Sequence, residues 1–324
     1  MADDKKHPRG IWPAALTAFN AAGALDTEAS VRHWRELLES GGVAGVVPFG
    51  TTGEGPSLSG AERVRALEAA LAAGIDARRL LPGTGAASLD ETIDLTRRVR
   101  ALGFPGALIL PPFFYPSDDE GLAKWYGAVF ESLDADGGGD DFGVLLYNIP
   151  KLSRSRITLP LVSSVLERFP HRLVGVKDSD GEWDHLSALT RDFPGLGIMC
   201  GDERLLLRHA RNGGAGGILA RACIAGDVMS EMFAAGAGGG DDGDGDGGAE
   251  ESHDFLVKLR EAIAPYGTIP ALKHLAGRQS GAVGDWHPRA PLLPLAAERG
   301  EALRRDIAAL GTRGEALLAR FGGL

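Results

Sequence analysis

Three short stretches of this sequence place reactive side chains next to turn-forming residues. Lys177 ends the apolar run Leu173-Val174-Gly175-Val176 and is followed by Asp178. Charged groups avoid such places unless paired. Desolvation disfavours an ammonium relative to the free amine, and the free amine attacks carbonyl carbon. The competing reading is a structural ion pair with an acid such as Asp178. Tyr147 stands in Tyr147-Asn148-Ile149-Pro150. A phenol can pass protons, although it is a poor acid at neutral pH unless tuned; the alternative is a core tyrosine with a satisfied hydroxyl. In Gly50-Thr51-Thr52-Gly53-Glu54, glycines flank two hydroxyls. Such a turn lets backbone amides and hydroxyls converge on a carboxylate, or it is an ordinary glycine-rich turn. Taken together, an amine, a phenol and a carboxylate cradle are what 2-oxo-acid chemistry needs. The amine forms an iminium with the keto carbon, and the iminium takes up the electrons of a C–C bond that breaks. The cradle of Gly50, Thr51 and Thr52 fixes the substrate carboxylate, and the phenol moves protons.

The elements that must position these groups alternate along the chain. Apolar runs too short for helices occur at Ile11–Leu16, Gly45–Phe49, Leu80–Pro82, Ala107–Leu110, Gly143–Tyr147, Leu173–Lys177, Gly197–Cys200 and Gly217–Ala220. Between them the apolar residues follow helical spacing, as at Val31, Trp34 and Leu38 or at Leu95, Val99 and Leu102. Ser59–Glu62, Ser88–Glu91 and Ser117–Glu120 each read S-x-x-E, the pattern of a capping box at a helix start. The three serines are 29 residues apart each time, so one βα unit repeats with constant length. Eight such units in about 235 residues predict an α/β fold of the (β/α)₈ (TIM) barrel type with a C-terminal helical extension. A doubly wound sheet is the alternative, but no G-x-G-x-x-G follows the first strand. In a barrel the catalytic groups sit at the carboxyl ends of the strands, which is where Thr51, Tyr147 and Lys177 fall.

The whole chain narrows the function class further. It has 324 residues and a net charge of −10. That charge disfavours nucleic acid as a partner, and no apolar run has membrane-spanning length. The start, MADDKKHPRG, is polar and lacks a following apolar segment, so no signal peptide and a cytoplasmic location are expected. Cys200 and Cys223 match no zinc spacing and are expected as buried free thiols. Residues 236–251 carry eight glycines and six acids among sixteen. They are expected as a disordered loop between the barrel (1–235) and C-terminal helices (252–324). Asp134–Asp141 is expected as a smaller loop of the same kind.

At this point the sequence resembles a known family. GTTGE at 50–54, YNIP at 147–150 and GVKDSDG at 175–181 are similar to motifs of the dihydrodipicolinate synthase / N-acetylneuraminate lyase family, as are GDE at 201–203 and GGAGGILARACIA at 213–225. The resemblance implies a barrel with helical extension, a Schiff-base lyase or aldolase acting on a small 2-oxo acid, no cofactor or metal, and a homo-oligomer, dimer or tetramer. It makes Lys177 the Schiff-base lysine and Tyr147 the proton-relay tyrosine. Thr51 and Thr52 become the hydroxyls near the relay and the pyruvate carboxylate, and Ile218 lies beside the pyruvyl group. Synthases of the family carry an arginine where this chain has Leu152, and a tyrosine lent by a neighbouring subunit where it has Phe114, next to Tyr115. Cys223 takes the place of a usual asparagine. Leucine at 152 fits the lyase branch, which usually has serine where this chain has Thr51. The expected reaction is cleavage of a 2-keto-3-deoxy sugar acid or similar to release pyruvate. The alternatives are synthesis from pyruvate and aspartate semialdehyde, and a non-catalytic 2-oxo-acid binder. Arg221, Arg154 and Arg156 are candidates to bind an acidic group on the distal part of the substrate; the competing reading is that they pair with protein acids.

Overall fold

Six of the eight apolar runs form strands: β1 (Gly10–Pro13), β2 (Gly106–Ile109), β3 (Gly143–Asn148), β4 (Leu173–Asp178), β5 (Gly197–Cys200) and β6 (Gly216–Leu219). They make one parallel sheet in the order β1-β6-β5-β4-β3-β2. The computed structural model describes residues 7–135, 141–238, 247–279 and 286–322.

The other two runs, around 45–49 and 80–84, are not ladders in their own right, yet they close the ring between β1 and β2. The Val47 N–H donates to Pro13 O (2.8 Å) and the Ala15 N–H to Val47 O (3.0 Å). The Gly83 N–H donates to Pro48 O (2.8 Å) and the Leu108 N–H to Pro82 O (3.0 Å). Isolated parallel bridges join Val46 to Leu80 and Gly83 to Leu108. Pro48 and Pro82 have no N–H to give, so a regular ladder stops at each. The eight expected staves are therefore present, two of them as bridged segments.

Helices α1 (Thr27–Glu39), α2 (Gly60–Ala72), α3 (Leu89–Ala101), α4 (Asp119–Ala135), α5 (Pro150–Ser153), α6 (Leu159–Arg168), α7 (Trp183–Asp192), α8 (Glu203–Arg211) and α9 (Ala222–Ala237) follow the staves. The extension comprises α10 (Gly247–Ile263), α11 (Thr268–Gln279), α12 (Ala297–Ala308) and α13 (Thr312–Ala319). Ser59 forms the complete capping box with Glu62, and Ser88 accepts from the Glu91 N–H. The third expected box is corrected. Helix α4 starts two residues after Ser117, and Asp118 Oδ1 takes the Gly121 N–H (2.9 Å); a carboxylate one residue on captures the cap. The span 236–251 is also narrower as a connection than expected, because α9 runs through Ala237 and α10 begins at Gly247. Its centre, 239–246, lies outside the described residues, as do residues 136–140 of the smaller expected loop.

Strand alternation sorts the core into two layers. Ile11, Val144, Leu146, Val176 and Ile198 join the layer between sheet and helices. Trp12, Leu108, Leu145, Tyr147, Met199 and Ile218 pack together inside the barrel. Val176 faces outward, so the next residue, Lys177, faces the lumen. Trp34 is fully buried on α1, donates Nε1–H to Leu16 O (3.0 Å) and meets the Phe49 ring edge-on at 5.4 Å. The helix layer thus props the stave that leads into the Thr51–Thr52 turn.

Candidate active site

In the sheet register, Tyr147 of β3 lies beside Lys177 of β4, and Lys177 beside Met199 of β5. Lys177 is 3% exposed, and its Nζ sits 4.0 Å from the centroid of the Tyr147 ring. Among the described residues Lys177 makes no ion pair, so its charged form has the ring face as its neighbour and no carboxylate. Asp178 does not partner it, which removes the structural ion pair considered from the sequence. Alternation turns Asp178 the other way. Its Oδ1 accepts from Asn148 Nδ2 (2.6 Å) and from the Asp180 N–H (3.3 Å), and its Oδ2 lies 3.1 Å from His185 Nδ1. Asn148 Oδ1 in turn accepts the Ile157 N–H (2.9 Å). This buried network fixes the ends of β3 and β4, and with them the phenol and the amine.

The Tyr147 hydroxyl lies 3.1 Å from Thr51 Oγ1. Thr51 comes from the turn after the second stave, whose shape follows from its glycines. A Cβ on Gly53 would stand 2.7 Å from Ala15 O, and one on Gly55 only 2.0 Å from Phe49 O. Phe49 (φ 62) and Glu54 (φ 53) bracket the turn in the left-handed region, a conformation that non-glycine residues hold only when their surroundings impose it. The turn closes on itself through Glu54 N–H to Thr51 O (3.1 Å) and Gly55 N–H to Gly50 O (3.0 Å). Thr17 Oγ1 donates to Gly53 O (2.7 Å). Among the described residues no acceptor takes the backbone N–H of Thr51 or Thr52. With the buried Thr52 beside it, the turn presents donors. Ile218, 1% exposed, packs in the same lumen as Tyr147.

The arginines offered by the sequence stand elsewhere. Arg221 is buried; its Nη1 donates to Glu203 (3.2 and 3.3 Å) and its Nη2 to Thr268 Oγ1 (3.3 Å). Glu203 also accepts from Arg260 (2.8 Å). Nη1 and Nη2 of Arg221 are thus engaged by protein acceptors, as in the competing reading of a pair with a protein acid, while its Nε has no partner among the described residues. Arg156 pairs with Asp180 (2.7 Å). Arg154 donates to Phe114 O (3.3 Å). Phe114 and Tyr115 are 70% and 77% exposed, and Leu152 is 57% exposed. Cys200 and Cys223 are buried free thiols; desolvation pushes the Cys200 thiol well above its ordinary value and the Cys223 thiol up to about 12.

Two supports of the site were not read from the sequence. Buried Arg63 donates to Gly55 O (2.6 Å), Gly83 O (3.2 Å) and Gly85 O (3.1 Å), tying together the loops after the second and third staves. Burial pulls its guanidinium down to about 10, against the pull of Glu91. The second support is the contact of Glu54 with Lys273, a lysine set among Ala271, Leu272, Leu275 and Ala276. A lysine within an apolar helical stripe was the signal that could have found it.

The model of the dihydrodipicolinate synthetase family matches residues 7–310. The chain belongs to that family. An uncharacterized DapA-like lyase of Chloroflexus aurantiacus is 36% identical over 300 residues, 92% of this chain and 95% of that one. The solved dihydrodipicolinate synthase of Agrobacterium tumefaciens matches with a TM-score of 0.81 and 31% identity, covering 93% of this chain and 99% of its own. YagE, a prophage protein of the family from E. coli solved in complex with pyruvate, matches with a TM-score of 0.79 and 25% identity over 93% of this chain and 98% of its own. Family members are lyases and aldolases acting on small molecules, on the barrel that the fold shows. Among the described residues no helix is long and apolar enough to cross a membrane.

Proposed function

We propose that this protein is a class I aldolase or lyase that cleaves a 2-oxo acid of the 2-keto-3-deoxy sugar-acid type and releases pyruvate. The observation that carries the reading is the buried Lys177 amine, free of ion pairs among the described residues, against a tyrosine whose hydroxyl contacts Thr51. The neutral amine attacks the keto carbon; the carbonyl oxygen takes up protons and leaves as water, giving the iminium. Tyr147, left as phenolate after giving its proton to the departing oxygen, then accepts the proton of the C4 hydroxyl; the C3–C4 bond breaks, C4 leaves as an aldehyde, and the electron pair moves into the iminium as an enamine. Protonation at C3 and hydrolysis return pyruvate and the amine. The Thr51 and Thr52 hydroxyls and amides hold the carboxylate, and Ile218 packs on the pyruvyl carbon. The pyruvate complex of YagE supports the same small 2-oxo acid here.

Synthesis from pyruvate and aspartate semialdehyde is the second reading, supported by the identity with the Agrobacterium tumefaciens synthase. Leu152 and Phe114 favour the first, because neither side chain supplies the cation or hydroxyl that the synthase branch uses there. A binder that performs no chemistry is the third; the intact Lys177–Tyr147–Thr51 set weighs against it. We further infer a cytoplasmic homo-oligomer.

Borohydride reduction of the protein with pyruvate, followed by mass spectrometry of the peptide holding Lys177, tests the reading. A reduced pyruvyl adduct on Lys177 is expected. A folded protein that yields no adduct overturns it. Turnover of 2-keto-3-deoxy acids in preference to aspartate semialdehyde separates the first two readings, and adduct without turnover of either leaves the binder.

A further inference from the structure

The acid that ends the Thr51–Thr52 turn is held from the far end of the chain. Glu54 is buried, and its side chain forms an ion pair with Lys273 of α11 that is sealed from solvent on both sides. Glu54 Oε2 also accepts the backbone N–H of Arg289 (2.8 Å). Lys273 Nζ donates to His287 O (2.8 Å). The Arg289 guanidinium donates to Ser57 O (2.6 Å), Gly23 O (2.8 Å) and Glu62 Oε1 (2.8 Å), which spans the segment just past the turn and the first turn of α2. Both cations lie against the Phe19 ring, Lys273 Nζ at 4.4 Å and Arg289 Cζ at 4.3 Å from its centroid. The His287 N–H closes onto Phe19 O (3.1 Å). Three residues of the extension, Lys273, His287 and Arg289, thus grip the mouth of the barrel at one corner.

That grip connects to chemistry by a short path. Glu54 holds a left-handed backbone, φ 53 and ψ 36, which its surroundings must impose. Its N–H closes the turn on Thr51 O, and Thr51 Oγ1 meets the Tyr147 hydroxyl. If Glu54 relaxed, the carbonyl of Thr51 would lose its donor and the hydroxyl would leave the phenol.

We propose that Lys273 is a positioning residue, which through its buried ion pair with Glu54 sets the Thr51 hydroxyl against Tyr147 and so makes the C-terminal extension part of the proton-transfer machinery. The proposal rests on the Schiff-base reading of Lys177. A merely stabilising contact has no need of two buried charges, since an apolar pair of similar volume stabilises as well or better. Desolvation pulls the Lys273 ammonium down to about 8 against the opposing pull of Glu54, so the charge is kept there at a cost. What the pair supplies over an apolar contact is direction: Lys273 Nζ is also fixed by His287 O, and the carboxylate by the Arg289 N–H.

The test uses pyruvate alone and the full chain. In D2O an enzyme that forms the iminium also removes a methyl proton of pyruvate to give the enamine. The C3–H electrons enter the iminium, the proton leaves through the phenol, and a deuteron returns to C3. Deuteration is followed by proton NMR, and iminium formation by borohydride trapping on Lys177. In the K273M/E54Q double variant, trapping at saturating pyruvate should stay within about threefold of wild type. The turnover number for deuteration should fall at least about tenfold, with a shifted pH profile. A structural role alone would lower melting temperature and reduce trapping and exchange together. If the double variant does not fold, Arg289→Ala loosens the same grip from its partly buried side and should show the same split on a smaller scale. Folded variants that exchange at the wild-type rate and pH profile overturn the proposal. Wild-type protein that is not trapped overturns the Schiff-base reading, and this proposal with it.

Discussion

Tyr147 Oη lies 3.1 Å from Thr51 Oγ1, although 96 residues separate them in the chain. The contact predicts a relay whose two members act as a unit. Tyr147→Phe keeps the ring against Lys177 and removes the hydroxyl, so iminium trapping should persist while proton transfer slows by about 10²- to 10⁴-fold. Thr51→Val should slow the same step. The double variant should be far less impaired than the product of the two single effects, because groups in one network are not additive. Deuteration of pyruvate measures all three, and multiplicative losses would show that the hydroxyls work independently.

Lys177 predicts a conflict between stability and function. Its amine is buried among Tyr147 and the lumen side chains, with no ion-pair partner among the described residues. Replacing it by Met retains the stem volume and removes a buried amine that has only the Tyr147 ring face, and no carboxylate among the described residues, to offset its desolvation. Lys177→Met should therefore lose all trapping and turnover yet unfold at higher denaturant, by about 1–2 kcal/mol. Urea melts of both proteins read this directly, and a destabilised Lys177→Met would mean that the amine has a structural partner.

Much of this site was legible because barrel strands obey a two-residue period. Once Val176 is placed against the helices, Lys177 must face the lumen, and the register of β3 on β4 brings Tyr147 beside it. The glycines of the Thr51–Thr52 turn announce a backbone that approaches Ala15 and Phe49 too closely for a Cβ. What was not legible depends on long-range geometry. Arg221 stands two residues past the end of β6, and its pairing with Glu203, 18 residues before it, could not be read from the sequence. Ser117 reads as a cap, but Asp118, one residue on, caps the helix instead by accepting the Gly121 N–H. The pairing of Glu54 with Lys273 crosses most of the chain: the lysine in an apolar helical stripe marks one partner, but nothing local names the other.

The exposed pair Phe114 and Tyr115 predicts the assembly. The two rings meet edge-on at 5.1 Å, and both are mostly in solvent, with Leu152 similarly exposed. Aromatic side chains are enriched at the centres of protein interfaces. If these residues face a second copy of the chain, Phe114→Asp should shift the protein to a smaller species in sedimentation velocity at micromolar concentration, without lowering its melting temperature in the dissociated form. An unchanged sedimentation coefficient would place the interface elsewhere.

The response to acid should report on His33. It is buried on α1, meets the Trp286 ring edge-on at 5.0 Å, and is pulled by desolvation from 6.5 to about 3. The folded protein therefore binds fewer protons at this site than the unfolded chain between those two values. Its contribution to stability is complete above pH 6.5 and is lost as the pH falls toward 3, with a slope of up to about 1.4 kcal/mol per pH unit. His33→Phe retains an edge-on ring for Trp286 and cannot be protonated. Its stability should match wild type to within about 1–2 kcal/mol at pH 7.5 and fall less steeply between pH 6 and 4. Carboxylates titrate in the same window in both proteins, so the difference between the two urea-derived curves is the quantity to read. Parallel curves from pH 6.5 to 4 would show that His33 is protonated at no cost in the folded state. Divergence would tie acid sensitivity to the Trp286–Arg289 segment, the same one that holds Glu54 and with it the Thr51 turn.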